Sequence, residues 1–381
     1  MSERTTASLL HSAVAAISIP RADVSTSFSF VLHAPLELIG RIGLLAFVHA
    51  EAREEAERTI AGLVDRYEAI GEGVPIPSRR FDDIDQAVAH FRSSLAAGEP
   101  DEVDAAVTWL TERSTIADIR WLLAEAIVDS TAAAGHAPIG LHLLARVGSG
   151  TLSPTLLRGP LRELASHPDW RIRWFDDISN PSEPMPLAVA LAAVPALGRP
   201  GNGSIRQIML QAETSGVAAA HVGPALGRQP DVAAARRAVM RVAAWSMIHD
   251  DPTQAPYGWS HCLTMPQAVM SLAGNWVAPR TAVAVAATFV AGFRAAHGTI
   301  LINEPESALA DSAAFSDVDE PWTASAIADL ATNAALHEDA HIVKYTLACL
   351  HAAEDDPAWR SVYLRAAAHL ADWWRQHPTT G

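Results

Sequence analysis

Apolar residues recur at three- and four-residue spacing along most of this chain, against an alanine-rich background. The clearest runs cover positions 36–69, 84–97, 103–112, 116–132, 233–248, 281–296, 324–335, 339–353 and 359–374. That period gathers an apolar stripe on one face of an α-helix. Strict alternation of apolar and polar residues, the mark of a half-buried strand, is nearly absent. Ser153-Pro154 pairs a good N-cap with proline at the first helical position, and Glu320-Pro321 is similar. The breaks at 71–78, 98–101, 179–186, 198–203, 223–230 and 250–258 are rich in Gly and Pro, and none is long or monotonous enough to be a flexible linker. No fixed-period repeat points to a solenoid. The pattern predicts an all-α protein, a single large multi-helix domain over 1–381, with loosely separable halves near 180–203 as the one division it suggests.

Composition narrows this picture. With 381 residues, 49% of them hydrophobic and 19% charged, the chain can bury a large core. A formal charge of −15 argues against an electrostatic nucleic-acid binder, which needs a basic stripe. Two cysteines, Cys262 and Cys349, cannot make a secreted-type disulfide framework. Met1-Ser-Glu-Arg-Thr-Thr carries an acid early and makes a poor signal peptide. The longest apolar runs, 187–197 and 282–293, are too short to span a bilayer. A soluble cytoplasmic protein with no membrane or nucleic-acid partner is expected, and a homodimer is compatible with it.

The chain has 16 histidines, and one run of sequence sets two of them apart. In His337-Glu-Asp-Ala-His341-Ile-Val-Lys344, a continuous helix at about 100° per residue puts His341 about 40° from His337 and Lys344 about 20° to the other side. Two imidazoles one turn apart can hold one metal ion. An ammonium on that stripe would repel a cation. Ile342, Val343, Leu347 and Leu350 read as buried neighbours, however, and burial favours the neutral amine. A neutral amine can take up carbon dioxide as a carbamate, an anionic oxygen donor.

Other histidines are weaker candidates. His33 stands in an apolar setting just ahead of Pro35, which predicts a place near a helix N-terminus and suits a cap or core residue as well as a ligand. His136 and His142 flank Ala-Pro-Ile-Gly-Leu, a spacing that cannot bring both to one ion along a continuous helix. His261 follows Tyr257-Gly-Trp259-Ser, whose aromatic rings suit a pocket wall or an ordinary packed loop. His11, His49, His90, His167, His221, His249, His297, His351, His369 and His377 stand in polar, terminal or helix-surface settings that point to no chemistry.

Together these segments resemble a known family. The run from His337 to Lys344 resembles the H-x-D-x-H-x-x-K signature of the questin oxidase-like proteins. Phe30-Val-Leu-His33-Ala-Pro-Leu is similar to the family's N-terminal histidine segment, Gly135-His136-Ala-Pro-Ile139 to its H-x-x-I element, and Ser260-His261-Cys-Leu-Thr264 to its H-x-V-T element. The likeness spans about residues 28 to 350, and the C-terminal signature is its most specific part. The chain departs from the pattern at Gly140-Leu-His142, at Leu263 in place of valine, and at Met265-Pro-Gln, as a divergent bacterial-type member would.

The resemblance implies a non-haem iron oxygenase of natural-product biosynthesis. Such an enzyme performs oxidative carbon–carbon cleavage or Baeyer–Villiger-like oxygen insertion on an aromatic polyketide or quinone-type molecule. It implies Fe(II) held in a buried site between helices by His337, His341, Lys344 as a carbamate, His33, and one or two of His136 and His261, with a position left for dioxygen. Imidazole and oxygen donors suit other first-row metals too. It assigns Lys344 and Asp339 to the catalytic machinery, Asp339 either orienting an imidazole N–H or standing as a surface acid, and it makes Tyr257 and Trp259 candidate substrate walls. NADPH, if used, has no standard site, since Gly198-Arg-Pro-Gly-Asn-Gly follows no strand. Two other readings stay open: a zinc or manganese hydrolase or lyase built on the same histidines, and a non-catalytic helical binding protein.

Overall fold

The computed structural model describes residues 3–22, 28–75, 78–148, 150, 152–302, 309 and 322–377. Among them every regular element is helical, and pairing outside the helices is confined to isolated bridges such as Arg21 with Gly73 and Ser130 with Arg171. The all-α expectation holds. Contacts group the chain into two compact units, Met1–Arg171 with Ala335–Ala340, and Ile172–Ala334 with His341–Gly381. Among the described residues no helix is long and apolar enough to cross a membrane.

The first unit contains α1 (Glu3–Ile17), α2 (Phe28–Leu44), α3 (Arg53–Glu68), α4 (Ile84–Ala97), α5 (Pro100–Thr111), α6 (Ile116–Ile127), α7 (His136–Val147) and α8 (Arg158–Ser166). The single helical run expected over 36–69 is two helices, α2 and α3. Glu54 and Glu55 stand in the first turn of α3, where acids favour a helix start. The break lets Ala56, Ile60, Leu63 and Tyr67 turn a new buried face inward. Ser153 caps the turn Pro154–Leu157 that leads into α8, as its sequence predicts. α2 packs on α7, and α5 packs on α4 and α8. A buried ion pair ties α8 to α5: Arg158 donates to both carboxylate oxygens of Asp104 at 2.6 and 2.8 Å. Two charges out of water are tolerated there because each satisfies the other.

The second unit contains α9 (Leu187–Ala192), α10 (Ile205–Thr214), α11 (Val232–His249), α12 (Ser260–Leu272), α13 (Pro279–His297), α14 (Ala324–Leu336, whose last two residues belong to the first unit), α15 (Ala340–Asp355) and α16 (Arg360–Gln376). α13 is buried on every face from Ala282 to His297, which explains the apolar run read there. It lies against α10, α11 and α12, while α16 packs on α11. The start signal Glu320-Pro321 lies outside the described residues. α14 begins after Thr323, whose hydroxyl accepts the Ala326 N–H at 3.1 Å.

Candidate metal centre

The first unit carries a histidine pair on α2 and α7. Because α2 begins at Phe28, His33 lies in its second turn and Pro35 lies inside it, not at its start as the sequence suggested. Within the helix His33 reaches the carbonyl one turn back: its Nδ1 lies 2.6 Å from Ser29 O. A carbonyl only accepts, so Nδ1 carries a proton, and in the neutral ring Nε2 is the nitrogen with the lone pair. His136, fully buried, opens α7, and its ring meets that of His33 edge-on with centroids 4.4 Å apart. His142 is also buried on α7, outside this ring pair.

An unusual turn precedes His136. Ala133, Ala134 and Gly135 have φ of 49°, 52° and 75°, three successive residues in the left-handed region. Alanine reaches that region only at a cost, about 1–2 kcal/mol for each residue. The turn brings the chain into α7 with His136 as its first helical residue. α7 itself lies so close to the turn Pro154–Leu157 that a Cβ on Gly140 would stand 2.8 Å from Leu157 Cδ2.

The shared stripe expected for His337, His341 and Lys344 does not form. Residues 337–339 are a break between α14 and α15, and only His341 and Lys344 lie on α15. Asp339 directly precedes the first residue of α15, the N-cap place that Asp favours. The Asp339 N–H donates to His337 Nδ1 at 3.0 Å. His337 is thus the reverse of His33: Nδ1 is the acceptor, and the neutral ring carries its proton on Nε2. The backbone here is held by Arg41 of α2, which is 1% exposed and donates to Ala335 O and His337 O, each at 2.6 Å. Arg41 also donates twice to Glu37 Oε1, at 2.8 and 2.6 Å.

The second unit carries another pair. Residues Ala255–Trp259 form a wide, π-type turn ahead of α12, a geometry frequent at functional sites. Across it His261 Nδ1 donates to Tyr257 O at 2.9 Å. That repeats the arrangement of His33: the carbonyl four residues back fixes the proton on Nδ1 and leaves Nε2 as the donor atom. The ring of His341 lies 5.2 Å from that of His261. His261, His341 and Lys344 are all buried. Burial pushes the His261 imidazole well below its usual range, and the Lys344 charge and then His341 push it the same way.

The two expected aromatic walls separate. Tyr257 is 54% exposed and sets its ring edge-on to His341 at 4.9 Å. Trp259 is sealed in the core, its indole N–H donating to Asp251 O at 3.0 Å. Trp374 of α16, which nothing in the sequence singled out, stands 6.3 Å from Tyr257 instead.

No family model matches the chain, and no curated protein or solved structure does either. The site therefore has to be read from its own chemistry. Each unit offers buried imidazoles, and in His33 and His261 a backbone carbonyl holds the proton on Nδ1 and leaves Nε2 to bind a metal in the neutral ring. His33, His136 and His261 each offer a ring nitrogen that could bind a metal ion.

Proposed function

We propose that this chain is a non-haem iron-dependent oxygenase acting on an aromatic polyketide or quinone-type small molecule. The observation that carries the metal part is the matched setting of His33 and His261, each with Nδ1–H on a carbonyl one helical turn back. In this reading His136 joins them as a third imidazole that could bind the metal. His341 and Lys344, three residues apart on one face of α15, complete the set in this reading, Lys344 as a carbamate. His337 is left out of it, because ligation through Nε2 would need the Asp339 N–H bond to break. Four imidazoles and one anionic oxygen are donors that iron accepts.

Iron bound there would supply dioxygen activation. The chain's own residues do the rest. The carbonyls of Ser29 and Tyr257 orient two imidazoles and make them better donors. Lys344 is buried on the same helix as His341, where the resemblance places its carbamate. Tyr257 offers an exposed ring beside His341 against which an aromatic substrate can pack. The resemblance of the His337–Lys344 run to the questin oxidase-like signature supplies the oxygenase and its substrate class.

Purified without chelator and offered Fe(II), the protein should hold about one iron per chain by elemental analysis. His33→Ala, His261→Ala and His341→Ala should each abolish retention, while His337→Ala should keep it. Iron-loaded protein should consume dioxygen with a hydroxyanthraquinone probe. A chain that binds no metal sinks the reading. Zinc or manganese retention without oxygen uptake would instead select the hydrolase or lyase.

A further inference from the structure

Four rings of the second unit stand in a row. Tyr257 is edge-on to His341 with centroids 4.9 Å apart, and edge-on again to Trp374 at 6.3 Å. Trp374 in turn meets Trp373 edge-on at 5.0 Å. Separations of this size are those of aromatic rings in contact. The row runs from buried to open surroundings. Trp374 is 5% exposed, whereas Trp373 is half-buried and lines an open groove of about 260 Å³ with Pro252, Thr253 and Gln376.

Every ring beyond His341 is a phenol or an indole, the two aromatic side chains that give up an electron most readily. A phenol does so as it loses its proton, and at neutral pH an indole does so at a similar potential. Packing alone would be served as well by phenylalanine. Tyr257 is also the tyrosine placed to release its proton to water: it is 54% exposed, while Tyr67, Tyr345 and Tyr363 are at most 1% exposed. His341, at the inner end, is a candidate metal ligand. Dioxygen chemistry at such a centre can yield a strong one-electron oxidant when no substrate is present, and the ligand rings are then its nearest targets. Phenols and indoles yield electrons only to strong oxidants, so the row is silent toward a resting centre.

We propose that Tyr257, Trp374 and Trp373 form an electron-transfer row that carries single electrons from the groove to His341, sparing the ligand rings from oxidation while no substrate is bound. The protective role rests on the metal reading of His341, whereas the row itself does not. The steps balance. Tyr257 passes one electron to the oxidant and its phenolic proton to water. Trp374 returns an electron to the Tyr257 radical, which takes back a proton from water, and Trp373 returns one to Trp374. A small thiol or ascorbate that reaches Trp373 in the groove supplies the last electron and is itself oxidised by one electron. The row ends unchanged.

Pulse radiolysis of the metal-free full chain tests the row. Azide radicals oxidise indoles in preference to other side chains, and the indolyl and tyrosyl absorptions are then followed in time. In wild type the indolyl signal should decay as a tyrosyl signal grows, at a first-order rate independent of protein concentration. Tyr257→Phe and Trp374→Phe keep the ring packing and should each lose that delayed growth, while Trp374→Tyr should keep it. Circular dichroism confirms that each variant is folded. Iron-loaded protein held in air with ascorbate and no substrate tests the role: peptide mass spectrometry should find several-fold more oxidised His341 in Trp374→Phe than in wild type. Absence of delayed tyrosyl growth in wild type, or unchanged growth in Trp374→Phe, overturns the row. Equal His341 oxidation in the two proteins overturns its protective role. A chain that retains no iron removes the metal reading and that role together, and the radiolysis result still decides the row.

Discussion

Replacing Arg41 with methionine keeps most of the side-chain volume and removes the guanidinium, so it tests whether the 335–337 backbone is held from α2. Four hydrogen bonds go at once: two to Glu37 Oε1 and one each to Ala335 O and His337 O. Removing one partner of a buried ion pair costs about 3–5 kcal/mol, because the other charge is left uncompensated. Each buried carbonyl deprived of its donor adds about 1–3 kcal/mol where water cannot replace it. Arg66, half-exposed at 3.8 Å from Glu37, offsets part of this, on the order of 1 kcal/mol. The expected loss is about 5 kcal/mol at neutral pH.

The pH dependence of that loss has a definite sign. Burial already raises the Glu37 carboxyl above its ordinary 4.5, against the pull of Arg41. Without Arg41 the folded chain binds that proton more readily still, so the penalty shrinks as the pH falls toward 5 and is fullest at pH 8. Chemical denaturation at the two pH values measures it, and amide exchange at 335–340 localises it. The double variant Glu37→Gln/Arg41→Met should recover a large part of the loss. A single variant within 1 kcal/mol of wild type at both pH values, or a double variant less stable than the single, refutes the clamp.

Three further outcomes are expected. Ala134→Gly should stabilise the chain by about 1 kcal/mol, since glycine adopts positive φ without strain, whereas Ala134→Val should destabilise it by more than that; urea midpoints decide, and a destabilising glycine would contradict the left-handed turn. Trp259→Phe should cost about 1–3 kcal/mol through the unpaired Asp251 carbonyl and the vacated volume, with KM for an aromatic substrate unchanged, while Tyr257→Ala should raise KM; the reverse pattern would make Trp259 the wall. His249, His297 and His369 are each held below the ordinary imidazole value of 6.5, in every case first by burial. The unfolded chain then binds more protons, so their contribution is present above pH 6.5 and is lost as the pH falls through the folded values. The melting temperature of metal-free wild type should drop more steeply on acidification than that of His249→Gln/His297→Gln, and equal slopes would refute the assignment.

How far the sequence foretold this molecule depended on whether the deciding interaction was local. The helical period is local, and it placed α4, α11, α13 and α16 within a residue or two of their ends. Where helix propensity continued through a break, the period misled. The run 36–69 has no Gly or Pro strong enough to stop it after Pro35, yet the chain turns so that α3 can bury a different face. The stripe drawn through His337, His341 and Lys344 failed for a related reason. Spacing of four and three residues means a shared face only if the helix is continuous, and Asp339 gave the warning, since an aspartate ahead of Ala-His-Ile-Val is a stronger start signal than an interior residue.

The histidine segments themselves were legible, because residue type and order carry them. What decides their chemistry was not, because it lies in backbone geometry. The carbonyls of Ser29 and Tyr257 set the proton on His33 and His261, and a backbone N–H sets the opposite tautomer on His337. No side-chain motif records those bonds, since any residue could supply a carbonyl. One further feature left a trace that could be found. Glu37 and Arg41 are the only charges in a run of nine otherwise apolar residues or glycines, Leu36–Leu44, and they stand one turn apart, a pattern that marks a buried pair by spacing alone. A charge in an apolar run asks for a partner, and where the fold supplies one, as Glu37 and two backbone carbonyls do for Arg41, the residue holds the structure together.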